Sequence, residues 1–241
     1  AQANRLSIAL TNVSAEYFAR TFEGIDRAVI AAVDASHVYR AGELGAGDAA
    51  RLRAHEVLRG IHGDTPALIS IAWIDAAGGE IARSTTPARQ AVNSPPLPAF
   101  AAHRDEQIGL YVGEPVRSLI DGQWIMLISR GIRDANGAFL GTVQASLNID
   151  YLAQTYRDLQ FTDDGVVSLF TRATGSLILF GAESRAHLGT SVADIATFRD
   201  STRHGASTIA KRSTALDGKD RIMSYRAVGD FPLVAAVGFS V

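Results

Sequence analysis

The chain has 241 residues, enough for one large domain or two small ones with separate cores. Hydrophobic residues make up 47% and charged residues 20%, which is typical of a folded globular protein. A formal net charge of -2 argues against nucleic acid or an acidic membrane surface as a partner. The absence of cysteine excludes disulfides, a thiolate nucleophile and Cys-ligated metal sites.

Residues 1–40 contain no proline and predict one long helix. At ~1.5 Å per residue it would reach about 50 Å, longer than globular packing requires, which suggests a coiled-coil or membrane-proximal stalk. Two helices broken near Gly24 are the alternative. A second helix is expected from Asp48, as its N-cap, to Gly60. Apolar residues at helical steps predict one buried face, formed by Leu6, Leu10, Val13, Tyr17, Ile25, Val29 and Ala32.

From Pro66 the pattern becomes extended, and the rest of the first half predicts strands around one irregular segment. Turns are expected at Asp75–Gly79 and Asp134–Gly137, where Asp and Gly favour tight reversals. A proline-rich segment covers residues 85–98, and a short helix follows at 100–104. The predicted strands are 68–74, 80–84, 110–112, 124–133 and 139–149.

The second half repeats this plan. Gly175 follows Gly78 by 97 residues, and Asp230 follows Asp134 by 96, which indicates an internal duplication. Because strands never alternate with regular crossover helices, the predicted class is α+β, with two PAS-like modules of antiparallel sheet and flanking helices. The predicted strands of this half are 166–170, 176–180, 221–228 and 233–241. The predicted parts are a helical segment 1–64, a first module 65–158 and a second module 159–241.

Several runs resemble a known family. Residues 111–118 (YVGEPVRS), 122–124 (GQW) and 134–139 (DANGAF) resemble the membrane-distal module of double Cache sensor domains, also called PDC domains, which are tandem PAS-like domains. Residues 217–222 (DGKDRI) and 231–234 (FPLV) resemble the end of their membrane-proximal module. The likeness covers residues 65–241, and the long first helix fits it.

The resemblance implies the periplasmic or extracellular part of a bacterial inner-membrane receptor. Ala1 would follow one transmembrane helix and Val241 would lead to a second, both outside this chain. The output of such receptors is typically a diguanylate cyclase, a histidine kinase of a two-component system, or a chemoreceptor signalling rod. The expected function is signal transduction by ligand binding.

Two departures from the family pattern concern the ligand. Many members carry an Arg-Asp-Tyr-Phe-type segment ahead of a His; here Phe100 and His103 match, but Leu97 stands at the Arg position. Amino-acid-binding members use an Asp near the end of the last distal strand, where this chain has Ser146. A hydroxyl cannot pair with an ammonium group as a carboxylate does. The resemblance therefore disfavours a free amino acid and leaves a carboxylate open.

No motif predicts an enzyme, a metal or a cofactor. His55 and Glu56 begin like a zinc-protease helix, but Arg59 occupies the position of the second His. The glycines at Gly45 and Gly47 match a dinucleotide fingerprint only in letters, because they follow a helix and not a strand. No Gly-x-Ser-x-Gly elbow is present.

A ligand pocket is expected between the sheet of the first module and the proline-rich segment. Aromatic rings would form its walls, an arginine would bind a carboxylate or phosphate, and polar side chains would orient the ligand. The candidates are Trp73, His103, Tyr111, Arg117, Ser118, Trp124, Arg130, Gln144 and Ser146. Each also has a structural interpretation: core for the aromatic rings, a solvated edge for Arg117, a helix cap or surface position for His103, and a partner such as Asp75 or Asp134 for Arg130.

Two functions remain open at this stage. The first is a sensor that binds a small ligand and forms a homodimer through the apolar positions Leu6, Leu10, Val13 and Tyr17. The second is a structural or protein-interaction module that sets receptor dimer geometry without a small ligand. A polar cavity in the first module would favour the sensor, whereas a sheet face closed by bulky apolar side chains would argue against it.

Overall fold

The structure, a computed structural model, describes residues 2–40, 47–86, 98–118, 122–158, 165–203, 211–214, 216 and 218–240. Most of the proline-rich segment, Leu97, Gly45, Asp121 and Asp217 lie outside the described residues. The fold is α+β, with a long N-terminal helix and two antiparallel sheets, as predicted. None of the described helices has the length and apolar character needed to cross a membrane.

The described elements follow one another in this order. The first half contains α1 (Gln2–Arg40), α2 (Asp48–Gly63), β1 (Leu68–Asp75), β2 (Glu80–Arg83), α3 (Pro98–Asp105), β3 (Tyr111–Arg117), β4 (Trp124–Arg133) and β5 (Phe139–Asn148). The second half contains α4 (Ile149–Asp158), β6 (Gly165–Thr171), β7 (Leu177–Phe180), a short 3-10 helix (Gly181–Ala186), α5 (Ala196–Arg203), β8 (Lys211–Thr214), β9 (Asp220–Ala227) and β10 (Leu233–Ser240).

The two sheets have the same topology. The first has the strand order β2-β1-β5-β4-β3 and the second the order β7-β6-β10-β9-β8. In each sheet the first two strands form a hairpin at one edge. The last strand of the module lies between that hairpin and the other two strands. This shared order agrees with the duplication that the turn spacing predicted.

The chain divides into two compact units. The N-terminal module comprises Glu23–Gly113 and Ile125–Asn148, and the C-terminal module comprises Ala1–Phe22, Glu114–Trp124 and Ile149–Val241. Helix α1 therefore contributes to both units. The boundaries expected from the sequence, after residues 64 and 158, stay predictions.

Helix α1 is continuous, so the alternative of a break near Gly24 is wrong. The prediction of a single apolar face is also wrong. At ~3.6 residues per turn, Ile25 lies about 100° around the helix from Leu6. Ile25 is buried, whereas Leu6 and Val13 are 44% and 52% exposed. Each step of three or four residues leaves a small rotation about the helix axis, and these rotations add up along α1. The seven predicted positions are therefore divided between a buried face and an exposed stripe.

The buried face of α1 begins with small hydroxyl residues. Ser7 Oγ lies 2.7 Å from Ser224 Oγ and donates a hydrogen bond to the carbonyl of Val237 at 3.0 Å. Thr11, one turn further on, is also buried. These polar groups are satisfied within the C-terminal module, where periodicity alone could not identify them as core. From Phe18 onward the buried positions of α1 are apolar except Ser36, whose hydroxyl donates to the carbonyl of Val33 at 2.6 Å.

The predicted turns after β1 and β4 are confirmed. The Asp75 carboxylate accepts hydrogen bonds from the amides of Ala77 and Gly79, both at 2.8 Å. The Asp134 carboxylate holds its own turn in the same way. Helix α2 departs from its prediction at both ends. It begins at Asp48, with Gly47 in the cap position and no side-chain hydrogen bond, and it ends at Gly63 instead of Gly60.

Candidate ligand-binding face

One face of the sheet in the N-terminal module packs against α1 and is apolar near its centre. Strand alternation and register place Ile71, Trp73, Val143 and Ala145 together on it, all of them buried. The Trp73 indole donates a hydrogen bond from Nε1 to the carbonyl of Ala32 on α1 at 2.9 Å. The structure thus puts Trp73, a predicted pocket wall, in the core between sheet and helix.

The opposite face of this sheet carries polar side chains beside a small apolar cluster of Ala72, Ile74, Phe100 and Phe139. Ser70 faces Ser146 across β1 and β5, and Gln144 faces Ser129 across β5 and β4. Arg83 joins them, because its Nη1 donates to Ser70 Oγ at 3.0 Å. Ser70, Arg83, Ser129, Gln144 and Ser146 are called the polar face below. Two of the predicted site residues, Gln144 and Ser146, lie on it.

A β-bulge brings an acidic partner to Arg83. Glu80 pairs with Ile74 and Arg83 pairs with Ala72, so both point to the side of the sheet that Ile74 and Ala72 share. The Arg83 Nε donates to both carboxylate oxygens of Glu80, at 3.1 and 3.2 Å. The Glu80 carboxylate therefore balances the positive charge of Arg83.

Helix α2 holds β2, the strand that carries Arg83. His55 Nδ1 lies 2.6 Å from the carbonyl oxygen of Arg83, and His62 Nδ1 lies 3.1 Å from Ser84 Oγ. Both imidazoles thus have backbone or hydroxyl partners in this module. Among the described residues, no group of three or more acidic or histidine side chains has the geometry for a metal ion.

His103, from α3, is buried and bound to the polar face. Its Nε2 lies 2.9 Å from Ser129 Oγ, and its Nδ1 lies 3.2 Å from the carbonyl oxygen of Ile108. The ring meets Tyr111 edge-on, with centroids 6.4 Å apart. Two further predicted site residues, His103 and Tyr111, are therefore together here, and His103 is buried on the inner side of α3.

Burial lowers the pKa of the His103 imidazole below its ordinary value of 6.5, despite hydrogen bonds that raise it. The positive charges of Arg133 and Arg130 lower this pKa further. Since the folded protein resists protonation, the unfolded chain binds more protons below pH 6.5, and stability falls as the pH is lowered through that window.

We expect His103→Gln to flatten this pH dependence, which should reach up to about 1.4 kcal/mol per pH unit for one proton. The measurement is the free energy of unfolding in urea between pH 7.5 and 5. His37→Gln, at an exposed position of α1, is the matched control and should leave the slope unchanged. An equal slope in wild type and His103→Gln would contradict the prediction.

Arg130 lies on the α1 face and is paired. Its Nε and Nη2 donate to the two carboxylate oxygens of Asp26 at 2.6 and 2.8 Å. The hydrogen bonding to Asp26, together with the attraction of its negative charge, raises the pKa of the Arg130 guanidinium. The expectation that Asp75 or Asp134 pairs with Arg130 is wrong, because each of those carboxylates holds its own turn.

The remaining predicted site residues, Arg117, Ser118 and Trp124, belong to the C-terminal module. The Arg117 guanidinium stacks 4.5 Å from the centre of the Trp124 ring and donates to the carbonyl of Gly122 at 2.9 Å. The Ser118 amide donates to the carbonyl of Gln123 at 2.8 Å. These contacts fix the end of the β3–β4 hairpin.

The C-terminal module lacks a comparable polar face among its described residues. The same side of its sheet carries Phe170, Tyr225 and Val234, and α5 adds Phe198 to this buried cluster. The rings of Phe170 and Phe198 pack edge-on, with centroids 5.5 Å apart. Bulky apolar side chains thus fill the position that polar side chains occupy in the N-terminal module.

The double Cache family model, whose description is Cache domain, matches residues 1–240. The chain belongs to this family. The fold and the resemblance inferred from the sequence are therefore confirmed. Cache domains are ligand-binding sensor domains. The comparison with curated proteins gave no match.

Solved structures share the whole fold of this Cache domain. An extracellular domain assigned to a histidine kinase, rpHK1S-Z16, has a TM-score of 0.83 at 22% identity, covering 100% of this chain and 95% of its own. The ligand-binding domain of the Pseudomonas fluorescens chemoreceptor CtaA, in complex with L-serine, has a TM-score of 0.72 at 17% identity, covering 98% and 96%. The Pseudomonas aeruginosa PAO1 chemoreceptor domain PctC, with GABA, has a TM-score of 0.68 at 18% identity, covering 100% of both chains.

Sequence reasoning missed four residues of this Cache domain's polar region: Ser70, Glu80, Arg83 and Ser129. Ser70 and Ser129 carried a signal, because each is a polar residue inside an apolar strand, and the period of two puts Ser129 on the side opposite its neighbour Arg130. Glu80 and Arg83 carried none, since three positions apart in a regular strand they would face opposite sides.

Proposed function

We propose that this Cache domain is the extracytoplasmic sensor domain of a membrane signalling receptor, and that a small ligand binds at the polar face of the N-terminal module. The names of its structural relatives support the cellular setting, since they describe extracellular and ligand-binding domains of histidine kinases and chemoreceptors. A histidine kinase, a chemoreceptor rod or a diguanylate cyclase would serve as output.

The contrast between the two sheets carries the proposal. A polar group removed from water without a partner costs free energy, so sheet faces packed only by helices are normally apolar. The C-terminal module follows that rule with Phe170, Phe198 and Tyr225. The N-terminal module instead keeps Gln144 and Ser146 half-buried on the corresponding side. Apolar walls with a few convergent polar groups are characteristic of small-molecule sites.

A carboxylate is the ligand class that the sequence left open, with Arg117 or Arg130 as its cation. Arg130 is engaged with Asp26 on the other face of the sheet, and Arg117 stacks on Trp124 in the C-terminal module. Of the described residues, Arg83 is the cation on the polar face. A bound carboxylate would therefore compete with Glu80 for Arg83.

A thermal-shift screen of the purified chain tests the proposal. The probes are carboxylates, amino acids, amides, nucleobases, polyamines and phosphates. A ligand at 100 times its Kd should add about 2.7 kcal/mol and raise Tm by several degrees. We expect Gln144→Leu to abolish the shift, whereas Gln154→Leu, at an exposed position of α4, should keep it. A shift that survives Gln144→Leu and Ser146→Ala would contradict binding at the polar face.

The alternative function, a module that sets receptor dimer geometry, is supported by a different surface. We propose that Leu6, Leu10, Val13 and Tyr17 form an exposed stripe on α1 that pairs with the same stripe of a second copy. Leu6 and Val13 are about half exposed, and Leu10 and Tyr17 are partly exposed. Further along the exposed side lie Glu16, Arg20 and Glu23, which separate this stripe from the exposed apolar residues Ile30 and Val38. Both functions can coexist in one receptor.

Val13→Glu should weaken self-association at least tenfold, because it places a charge in the apolar stripe. Sedimentation equilibrium across a concentration series measures the change. Leu52→Glu is the matched control, since Leu52 is similarly exposed, at 49%, but lies on α2. A wild-type chain that stays monomeric at the highest concentration would remove the basis for the stripe as a dimer surface.

A further inference from the structure

The charges of the polar face cancel. Arg83 supplies the positive charge, and its Nε and Nη2 both donate hydrogen bonds to the Glu80 carboxylate. The Glu80 side chain is only 9% exposed, so water screens this pair weakly and cannot easily replace either partner. A ligand that reaches the polar face therefore meets a guanidinium whose charge is already balanced by the Glu80 carboxylate.

Two further arginines of this module, Arg133 and Arg130, are also engaged. Arg133 donates from Nη1 to the carbonyl of Gly137 at 2.9 Å and from Nη2 to the carbonyl of His103, and its guanidinium lies over the Phe139 ring. Arg130 is bound to Asp26. His103 is hydrogen-bonded to Ser129 and lies against a backbone carbonyl, and its burial lowers the pKa of the imidazole and so disfavours the charged form.

The side chains of the polar face that can still form further hydrogen bonds are uncharged. The Ser146 hydroxyl has no hydrogen-bond partner among the described residues, and Gln144 uses only its amide nitrogen, in a contact of 3.3 Å with Thr142 Oγ1. Ser146 can donate and accept, and the Gln144 carbonyl can accept. Both point to the same side of β5, about 7 Å apart along the strand.

We infer that the polar face selects an uncharged ligand that carries both N–H donors and a carbonyl acceptor, such as a carboxamide, a urea or a nucleobase. This inference rests on the proposed function, because it assigns a ligand class to the same face. An ammonium group would find no unpaired carboxylate among the described residues there, and a carboxylate would have to displace Glu80 from Arg83. An amide meets neither obstacle, since its donor and acceptor match Ser146 and Gln144.

Matched acid and amide pairs test the inference. The probes are nicotinamide against nicotinate and propionamide against propionate, each titrated into the 241-residue chain by calorimetry at pH 7.5. We expect the amide to bind at least tenfold more tightly than its acid. Gln144→Leu should abolish amide binding, and Gln154→Leu should leave it unchanged.

Glu80→Gln tests the opposite change, a gain in affinity for the acid. It frees the Arg83 guanidinium, so the acid should gain at least tenfold in affinity while the amide changes little. If that variant does not fold, Glu80→Gln combined with Arg83→Gln removes both charges, and this protein should bind the amide but not the acid.

The outcomes separate the inference from the proposed function. An acid, amine or amino acid that binds wild type as tightly as its uncharged counterpart, and loses binding in Gln144→Leu, overturns the inference and keeps the small-ligand site. Absence of binding by amides, ureas, nucleobases, acids, amines and amino acids alike overturns both. Amide binding that survives Gln144→Leu and Ser146→Ala places the site elsewhere and also overturns both.

Discussion

Replacing Trp73 with alanine should lower the free energy of unfolding by about 3–5 kcal/mol, the cost of deleting a large aromatic side chain from a closed core. Trp73 is 1% exposed, and its ring packs against Tyr39 of α1 with centroids 5.5 Å apart. The substitution opens a cavity between α1 and the sheet and removes the hydrogen bond to Ala32.

Urea denaturation followed by circular dichroism measures this loss without relying on the deleted fluorophore. Trp73→Phe keeps the ring volume in part and removes the Nε1 donor, so its cost should be intermediate. Trp124→Ala is the natural control, because Trp124 is half-buried and should cost less than about 2 kcal/mol. A loss below about 1 kcal/mol for Trp73→Ala would contradict its assignment to the core.

Removing one partner of the Asp26–Arg130 pair should have the next largest effect, about 2–3 kcal/mol for Asp26→Ala. Breaking a fully buried pair costs about 3–5 kcal/mol, because it leaves an unpaired charge out of water. Here the side chains are 18% and 27% exposed, so water recovers part of that cost. The measurement is again the free energy of unfolding in urea.

The double variant Asp26→Ala/Arg130→Ala should cost clearly less than the two single variants together, since no charge is then left without its partner. Glu16→Ala provides the control on the same helix. Its pair with Arg20 is 66% and 75% exposed, and its loss should stay within about 0.5 kcal/mol. Additive costs for Asp26 and Arg130 would show that the pair is not coupled.

Local rules predicted much of the fold. Asp75 and Asp134 precede glycines in short polar segments, and each makes the turn that such a segment favours, because Asp accepts from amides two and four residues on. The strands around those turns are close to the predicted ranges. Strand β8 and helix α4 were not predicted. Strand β8 is four residues long and has no apolar alternation. Helix α4 does have apolar residues at helical spacing, at Ile149, Leu152 and Ala153, but its first residue was assigned to the preceding strand.

The candidate site was predicted only in part. Gln144 and Ser146 were chosen because residues two apart in a strand share a face, and that relation held on the polar face. Trp73 was assigned to a pocket wall, although it packs against α1, because alternation groups residues into two faces without revealing which face a helix will cover. The same limitation applies to Arg130.

The sequence by itself determined the family, the α+β class, the long helix and the turns, because these depend on periodicity and on residues near one another in the chain. The tertiary structure alone decided which partners the long polar side chains find. Arg130 pairs with Asp26 across 104 positions, and His103 meets Ser129 across 26. Glu80 reaches Arg83 only because a bulge turns both to one face. Such pairs depend on strand register and helix placement, which global packing fixes and no local pattern encodes.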